Sequence, residues 1–367
     1  MHNLKIWNYL SIPWLVFTLT FFVIFFLLAF LVEVDSSYLS RNYLNKLFLN
    51  TIILSFGSAI LSAIIAVPLA ILVTFYKFPG HKFFSWSLSL SIAFPAYVYA
   101  FIYVGIFEYA SPVSEYLRNF NISLPQIKNI YGASLIMAMA LFPYIFLLTK
   151  AHLGSVGIKV FKAAKSLGDT NITAIRKVII PSLWPTIIAG MALVIFETIA
   201  DFGGVSTLRV DTFTVGIYDA WFGYQSYFSA TRLAGFLLLF VFLIMFLAKY
   251  FGEKSVHLAS KTAETFERIE TTPIVRIGML IFCSLIFIIV FCIPTTQLIV
   301  WNLADSNLNL ISNLQLLINS LIVGLLASVI TVFFAIALAL SYKHSNILKS
   351  SILILSLIHI SEPTRQD

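Results

Sequence analysis

Apolar residues in this chain come in long blocks without charge. These blocks cover residues 6–32, 47–76, 83–107, 129–149, 178–196, 233–248, 277–304 and 306–342, and another begins at Ser350. A helix that crosses a bilayer needs about 20 mostly apolar residues, so the pattern predicts a series of membrane-spanning helices. The block at 233–248 is short, but Arg232 and Lys249 at its ends can snorkel to the interface. The first block is too long for a signal-peptide core and lacks a small-residue cleavage site, which predicts a retained span.

Polar positions set the direction of threading. With Lys5 and the N-terminus in the cytoplasm, the connecting segments on that side hold 16 Lys and Arg residues and those outside hold six. The positive-inside rule favours this orientation. It also accounts for the net charge of +7 as a topology signal, without a nucleic-acid partner.

Composition narrows the class further. Apolar residues make up 60% of the chain and charged residues 11%, where a soluble domain carries about a quarter charged residues. A soluble globular domain, a disordered chain, a coiled coil and a disulfide scaffold are excluded. Cys283 and Cys292 share one apolar block. On a helix they stand about 13 Å apart, too far for a disulfide, and read as buried thiols. The His residues are scattered without metal-ligand spacing.

The segment from Asn50, NTIILSFGSAILSAIIAVPLAILV, is similar to that from Asn319, NSLIVGLLASVITVFFAIALALSY. Six crossings separate them, and an even number makes the repeat parallel. Two six-helix halves about an axis along the membrane normal follow, the second incomplete. The expected organisation is a first half at 1–251, a cytoplasmic linker at 252–273 and the start of a second half at 274–354. Residues 355–365, LSLIHISEPTR, turn polar where the repeat expects a membrane helix. They resemble the in-frame translation of a sequencing-library adapter, so 355–367 is expected to be a non-native tail on a truncated gene.

The segment at 149–185 is basic. Val160, Ala163, Ala164 and Leu167 form a helical stripe, and Gly168 breaks the helix. Asp169 or Thr170 is available to cap a second helix, and Pro181 marks re-entry into the membrane. This is a helix, a glycine corner and a helix at the membrane surface. An ordinary basic loop lying on anionic membrane lipid is the simpler alternative.

The pattern Ala163-Ala164, Gly168, Val178, Ile180-Pro181 resembles the EAA loop of binding-protein-dependent ABC transporter permeases. Lys162 stands where that loop has Glu, which puts in doubt any ion pair an acidic first position would make. The segments 91–103, 131–153 and especially 196–223 (FETIADFGGVSTLRVDTFTVGIYDAWFG) resemble the ferric-iron branch of these permeases. The resemblance implies an all-α polytopic membrane protein with the type I ABC importer permease fold. It implies that the loop at about 150–181 couples to ABC ATPase subunits through Lys162, Ala163, Ala164, Leu167, Gly168 and Pro181. It also implies a periplasmic or lipid-anchored substrate-binding protein and a bacterial inner-membrane location. Ferric iron is the expected substrate, with sulfate, polyamine or thiamine as alternatives.

Glu197 and Asp201 end the fifth block, one turn apart on one face. Ionisable groups at membrane depth suggest function, and a hard cation prefers oxygen ligands. They are candidate translocation-path residues. The alternative is structural: Glu197 bonded to a neighbouring helix and Asp201 capping the turn at 202–204. No metal site is assigned. Asp211 and Asp219 fall in an outside loop suited to docking a binding protein, and Glu108 and Glu115 read as solvated. Pro68, Pro95 and Pro143 are candidate hinges. Trp7, Trp14, Trp184, Trp221 and Trp301 suit interface anchoring. The P-loop pattern is absent, so the chain is expected to be no enzyme and to carry no cofactor; ATP and Mg belong to a partner ATPase. An ion-coupled secondary transporter is the rival class, disfavoured by spans nearly free of charge.

Overall fold

Backbone groups in lipid must be bonded within the segment, so an apolar block of this length can only be a helix. The computed structural model describes residues 16, 19–32, 40–252, 268–304 and 310–344. Trp7, Trp14, most of the expected linker, the block opening at Ser350 and the 355–367 tail lie outside these residues. Among the described residues, six helices are long and apolar enough to cross a membrane, or seven if one bent pair counts as a span. The chain divides into two compact units, Met1–Val32 with Trp301–Asp367, and Glu33–Val300.

In the first unit, α1 (Leu19–Leu31) covers part of the first apolar block. Its Phe side chains stack one turn apart, Phe21 on Phe25 at 6.5 Å and Phe26 on Phe30 at 6.1 Å.

The larger unit is built on three long elements: α2 (Arg41–Phe75), α6 (Ile130–His152) and α9 (Ile180–Ala200). Side chains start the first two. Ser40 accepts from the Tyr43 N–H, and Asn129 accepts from the N–H groups of Tyr131 and Gly132. Helices gain little from apolar burial against each other in lipid, so close backbone approach at small residues holds them together. The buried face of α2 carries Thr51, Ser55, Ser58, Ala59, Ser62 and Ala66. Thr51, Ser55 and Ser58 donate to their own helix's carbonyls at 2.7 Å, and Ser62 donates to the Ala138 carbonyl of α6. A Cβ on Gly190 of α9 would lie 3.0 Å from the Ile145 Cα of α6. Helices α2 and α6 continue through Pro68 and Pro143.

The block at 83–107 is not one straight span. Helix α3 (His81–Ser87) runs into a 3₁₀ segment (Leu88–Ala93), and α4 (Ala96–Phe107) leaves at 89°. Pro95 has no N–H to give, and Phe94 before it is extended. Helix α5 (Pro112–Arg118) follows. After the core come the short helices α7 (Ile158–Ser166) and α8 (Asn171–Ala174), preceding α9, then α10 (Gly203–Thr207) and α11 (Phe213–Tyr218). Helix α12 spans Tyr227–Gly252, so Arg232 and Lys249 lie inside the helix, which extends beyond the apolar block at both ends.

Helix α13 (Pro273–Phe287) passes through a π-helical turn at Ile288–Cys292 into α14 (Ile293–Ala304). Pro294 cannot donate to the Val290 carbonyl. Tyr99 of α4 does so at 2.5 Å, and Tyr103 donates to the Ile289 carbonyl at 2.6 Å. Upstream, Ile269 forms a parallel bridge with Tyr76, and Lys77 pairs with Glu270 at 2.7 Å, tying the approach to α13 to the end of α2. Cys283 is buried and both cysteines are free thiols.

The last described helix, α15 (Leu310–His344), belongs to the first unit. It has 35 residues, as α2 does, and both ends fall at the offset that relates Asn50 to Asn319.

Candidate functional site

Helix α6 continues through a π-helical turn at Leu153–Gly157 into α7, making one helix of 37 residues, Ile130–Ser166. Helix α7 is two-faced. Ile158, Phe161 and Ala164 are buried, with the Phe161 ring 5.1 Å from that of Phe75. Lys162, Ala163 and Lys165 are exposed. The paired alanines therefore divide, Ala164 inward and Ala163 outward.

The helix ends in a Schellman motif. The Gly168 N–H bonds the Lys165 carbonyl at 3.0 Å and the Asp169 N–H bonds that of Ala164 at 3.2 Å. Gly168 has φ +93°, and a Cβ there would meet nothing within 4 Å, so the glycine is required by backbone conformation and not by space. Of the two expected caps, Thr170 serves: its side chain accepts from the Thr173 N–H at 3.2 Å. Helix α8 then passes through a π-helical turn at Ile175–Ile179 into α9. Pro181 lies just beyond that turn, at the base of α9 and away from the corner.

Two apolar side chains flank the corner in solvent, Leu167 at 88% and Ile172 at 75% exposure. The loop pattern does not single out Ile172. Its signal is an apolar residue in the first turn of a capped helix whose inward position is taken by Ala174. The corner is braced to the core by Thr186 Oγ1 against His152 Nδ1 at 3.1 Å, and by the Lys150 ammonium donating to the Ser85 carbonyl.

The opposite end of α9 carries the two candidate carboxylates. Glu197 is exposed and set against Tyr144 of α6. Asp201 caps α10, accepting from the Gly204 N–H at 2.6 Å and the Val205 N–H at 3.4 Å. The glycines are there because side chains of α4 and α6 press close. A Cβ on Gly203 would lie 2.9 Å from Tyr97 Cβ, and one on Gly204 2.6 Å from Met137 Cε. Nearby, Asp211 pairs with Lys46 at 2.5 Å, and its carbonyl accepts from Asn50 at 2.9 Å. Burial, and then the Asp211 charge, raise Asp219. Among the described residues, no three His, Cys, Asp or Glu side chains converge as a metal-holding group.

The profile of the family described as "Binding-protein-dependent transport system inner membrane component" matches residues 66–256, and the chain belongs to that family. The chain is 27% identical over 155 residues to the sulfate transport system permease protein CysT of Salmonella typhimurium, covering 42% of this chain and 55% of that protein. It is 24% identical over 306 residues to the Fe(3+)-transport system permease protein FbpB 2 of Haemophilus influenzae, covering 82% of this chain and 57% of that one. A putative 2-aminoethylphosphonate transport system permease protein, PhnU of Salmonella choleraesuis, is 23% identical over 193 residues, 49% of this chain and 67% of its own length. The chain thus spans little more than half the length of the first two relatives. Family membership and the helices agree on a multi-pass component of the bacterial inner membrane.

Proposed function

We propose that this chain is the permease subunit of an ATP-driven importer and that its substrate is ferric iron. The observation that carries the reading is the exposed corner at Gly168, continuous on both sides, through π-helical turns, with long helices of the core. Force applied at Leu167 and Ile172 reaches α6 through α7 and α9 through α8. Since α6 and α9 pack together and on α2, moving the corner moves the helices that would line a path. Such coupling joins two distant sites through an element with two arrangements.

The Lys and Arg asymmetry supports a cytoplasmic corner and N-terminus, on the side where ABC ATPase subunits would supply ATP and Mg. Asp211, Asp219 and the carboxylates at the end of α9 then face the side from which a substrate-binding protein delivers its cargo. Iron is favoured because the Fe(3+)-transport relative is similar along most of the chain. Sulfate is the second reading, favoured by the CysT relatives, whose similarity is confined to a shorter segment. The test is twofold. The tagged chain should co-purify with a P-loop ATPase, and deleting its gene should abolish uptake of radiolabelled Fe³⁺ while leaving sulfate uptake unchanged. Loss of sulfate uptake alone would reassign the substrate, and the absence of any ATPase partner would overturn the reading.

A further inference from the structure

The connection between α4 and α6, at the end of α6 opposite the Gly168 corner, carries an apolar row that packs on nothing in its own unit. Residues 108–129 hold two acids and two bases, so the segment has no net charge. Within it α5 packs on the end of α4. The Ser111 hydroxyl donates to the Ile106 carbonyl, and the Arg118 guanidinium donates to the Tyr109 carbonyl and lies 3.9 Å from the centre of that residue's ring. Asn121, at φ +58°, stops the helix: its N–H bonds the Arg118 carbonyl at 2.9 Å, and the Ile122 N–H bonds that of Leu117 at 3.1 Å. Lys128 pairs with Glu108 at 3.2 Å, which sets the end of α4 and the start of α6 at one level. A short helix is thus held down between the ends of two membrane elements.

This helix has three sides. Ser111 and Ser114 are buried against the protein. Val113 and Tyr116 share a second side, and Phe120 just past the helix extends their row, its ring 5.4 Å from that of Tyr116. Tyr109 is 77%, Tyr116 65% and Phe120 61% exposed, with Val113 and Ile122 exposed beside them. Glu115 and Asn119 are exposed on the third side.

A contiguous apolar row in the open marks a contact surface. A delivering protein that docks and leaves would return the row to water in every cycle, whereas the bilayer covers it throughout. The row is also rich in tyrosine, whose ring and hydroxyl suit the depth where headgroups meet acyl chains. A segment without net charge needs no anionic headgroup.

We infer that α5 lies in the membrane interface opposite the corner, with Tyr109, Val113, Tyr116 and Phe120 set into lipid where headgroups meet acyl chains, and Glu115 and Asn119 toward water. Lipid then anchors the connection from which α6 starts. The inference needs the family's membrane location and no particular substrate.

The test places a nitroxide on one residue at a time through V113C, Y116C, F120C, E115C and N119C. The full chain, in a C283A C292A background, is held in phosphatidylcholine nanodiscs. A water-soluble nickel chelate should relax the labels at 115 and 119 several-fold more than those at 113, 116 and 120, and dissolved oxygen should show the reverse. All five open to nickel would put the row in water and overturn the inference. Labels at 113, 116 and 120 closed to both reagents would mean a protein cover, and closure to nickel only after a substrate-binding protein is added would mean docking; either overturns it. Y116W with both native cysteines kept gives a second reading free of the cysteine replacements. Its added fluorescence should be quenched by brominated phosphatidylcholine and little by aqueous acrylamide, and the opposite pattern would overturn the inference.

Discussion

Replacing Gly168 with Ala isolates backbone strain from packing. The residue sits at φ +93°, and its Cβ would point into open space. Nothing is displaced, so the cost is conformational alone, about 1–2 kcal/mol for an L-residue in the left-handed region. That is roughly a 5- to 30-fold shift away from the corner that orders Leu167 and Ile172. Because the strain lies at an exposed tip, the membrane core should hold and its unfolding temperature should move little. The effect should emerge in coupling: in proteoliposomes, substrate moved per ATP hydrolysed should drop several-fold while basal hydrolysis persists. Asn tolerates the left-handed region better than Ala, so Gly168→Asn should recover much of the loss. Wild-type coupling in Gly168→Ala, or equal defects in Ala and Asn, would refute the claim that corner conformation transmits the force.

Other expectations test the framework around the corner. Tyr99→Phe removes the hydroxyl that serves the Val290 carbonyl and should cost about 1–2 kcal/mol, read as a lower unfolding temperature in detergent. Gly190→Leu should be worse than Gly190→Ala, because even a Cβ would lie 3.0 Å from Ile145; overpacking of about 1–3 kcal/mol is expected, and equal stability of the two would contradict close α6–α9 contact. The Lys77 hydrogen bond and charge hold Glu270 below the usual carboxylate value. The pair therefore favours the folded clasp above the ordinary carboxylate pKa, and that contribution is lost as pH falls through the depressed one. A carbon-13 titration of the Glu270 carboxyl should show the shift and K77Q should abolish it; high salt should weaken it, since both groups are exposed.

Much of this architecture is legible because lipid leaves few options. Apolar blocks at 178–196 and 277–304 fall inside continuous helices, and those at 47–76 and 129–149 do so up to the caps Tyr76 and Asn129, as backbone satisfaction requires. Gly168 and Thr170 are legible too, since a helix stop needs a residue that accepts positive φ and a following cap. The bend at Pro95 was readable as a possible break, but its angle of 89° depends on what α4 packs against. Contacts between distant residues leave no local mark. Nothing local marks Tyr99 and Tyr103, although they serve carbonyls left open by the π-helical turn before Pro294. Lys46 with Asp211 is another such pair, joined only when α2 meets the loop before α11. Asp201 shows the ambiguity of a carboxylate at a helix end. Spacing alone permits a path residue or a cap, and its bonds to Gly204 and Val205 commit one oxygen to capping.

The central claim is that ATP hydrolysis by a partner, delivered at the Gly168 corner, drives uptake. The direct measurement is accumulation of radiolabelled Fe³⁺ in proteoliposomes holding the full chain, its co-purifying ATPase and its binding protein, with and without ATP and with the proton gradient collapsed. The account predicts accumulation that requires ATP, survives loss of the gradient and falls with Gly168→Ala. Accumulation that follows the gradient and ignores ATP would contradict it and make the chain an ion-coupled carrier.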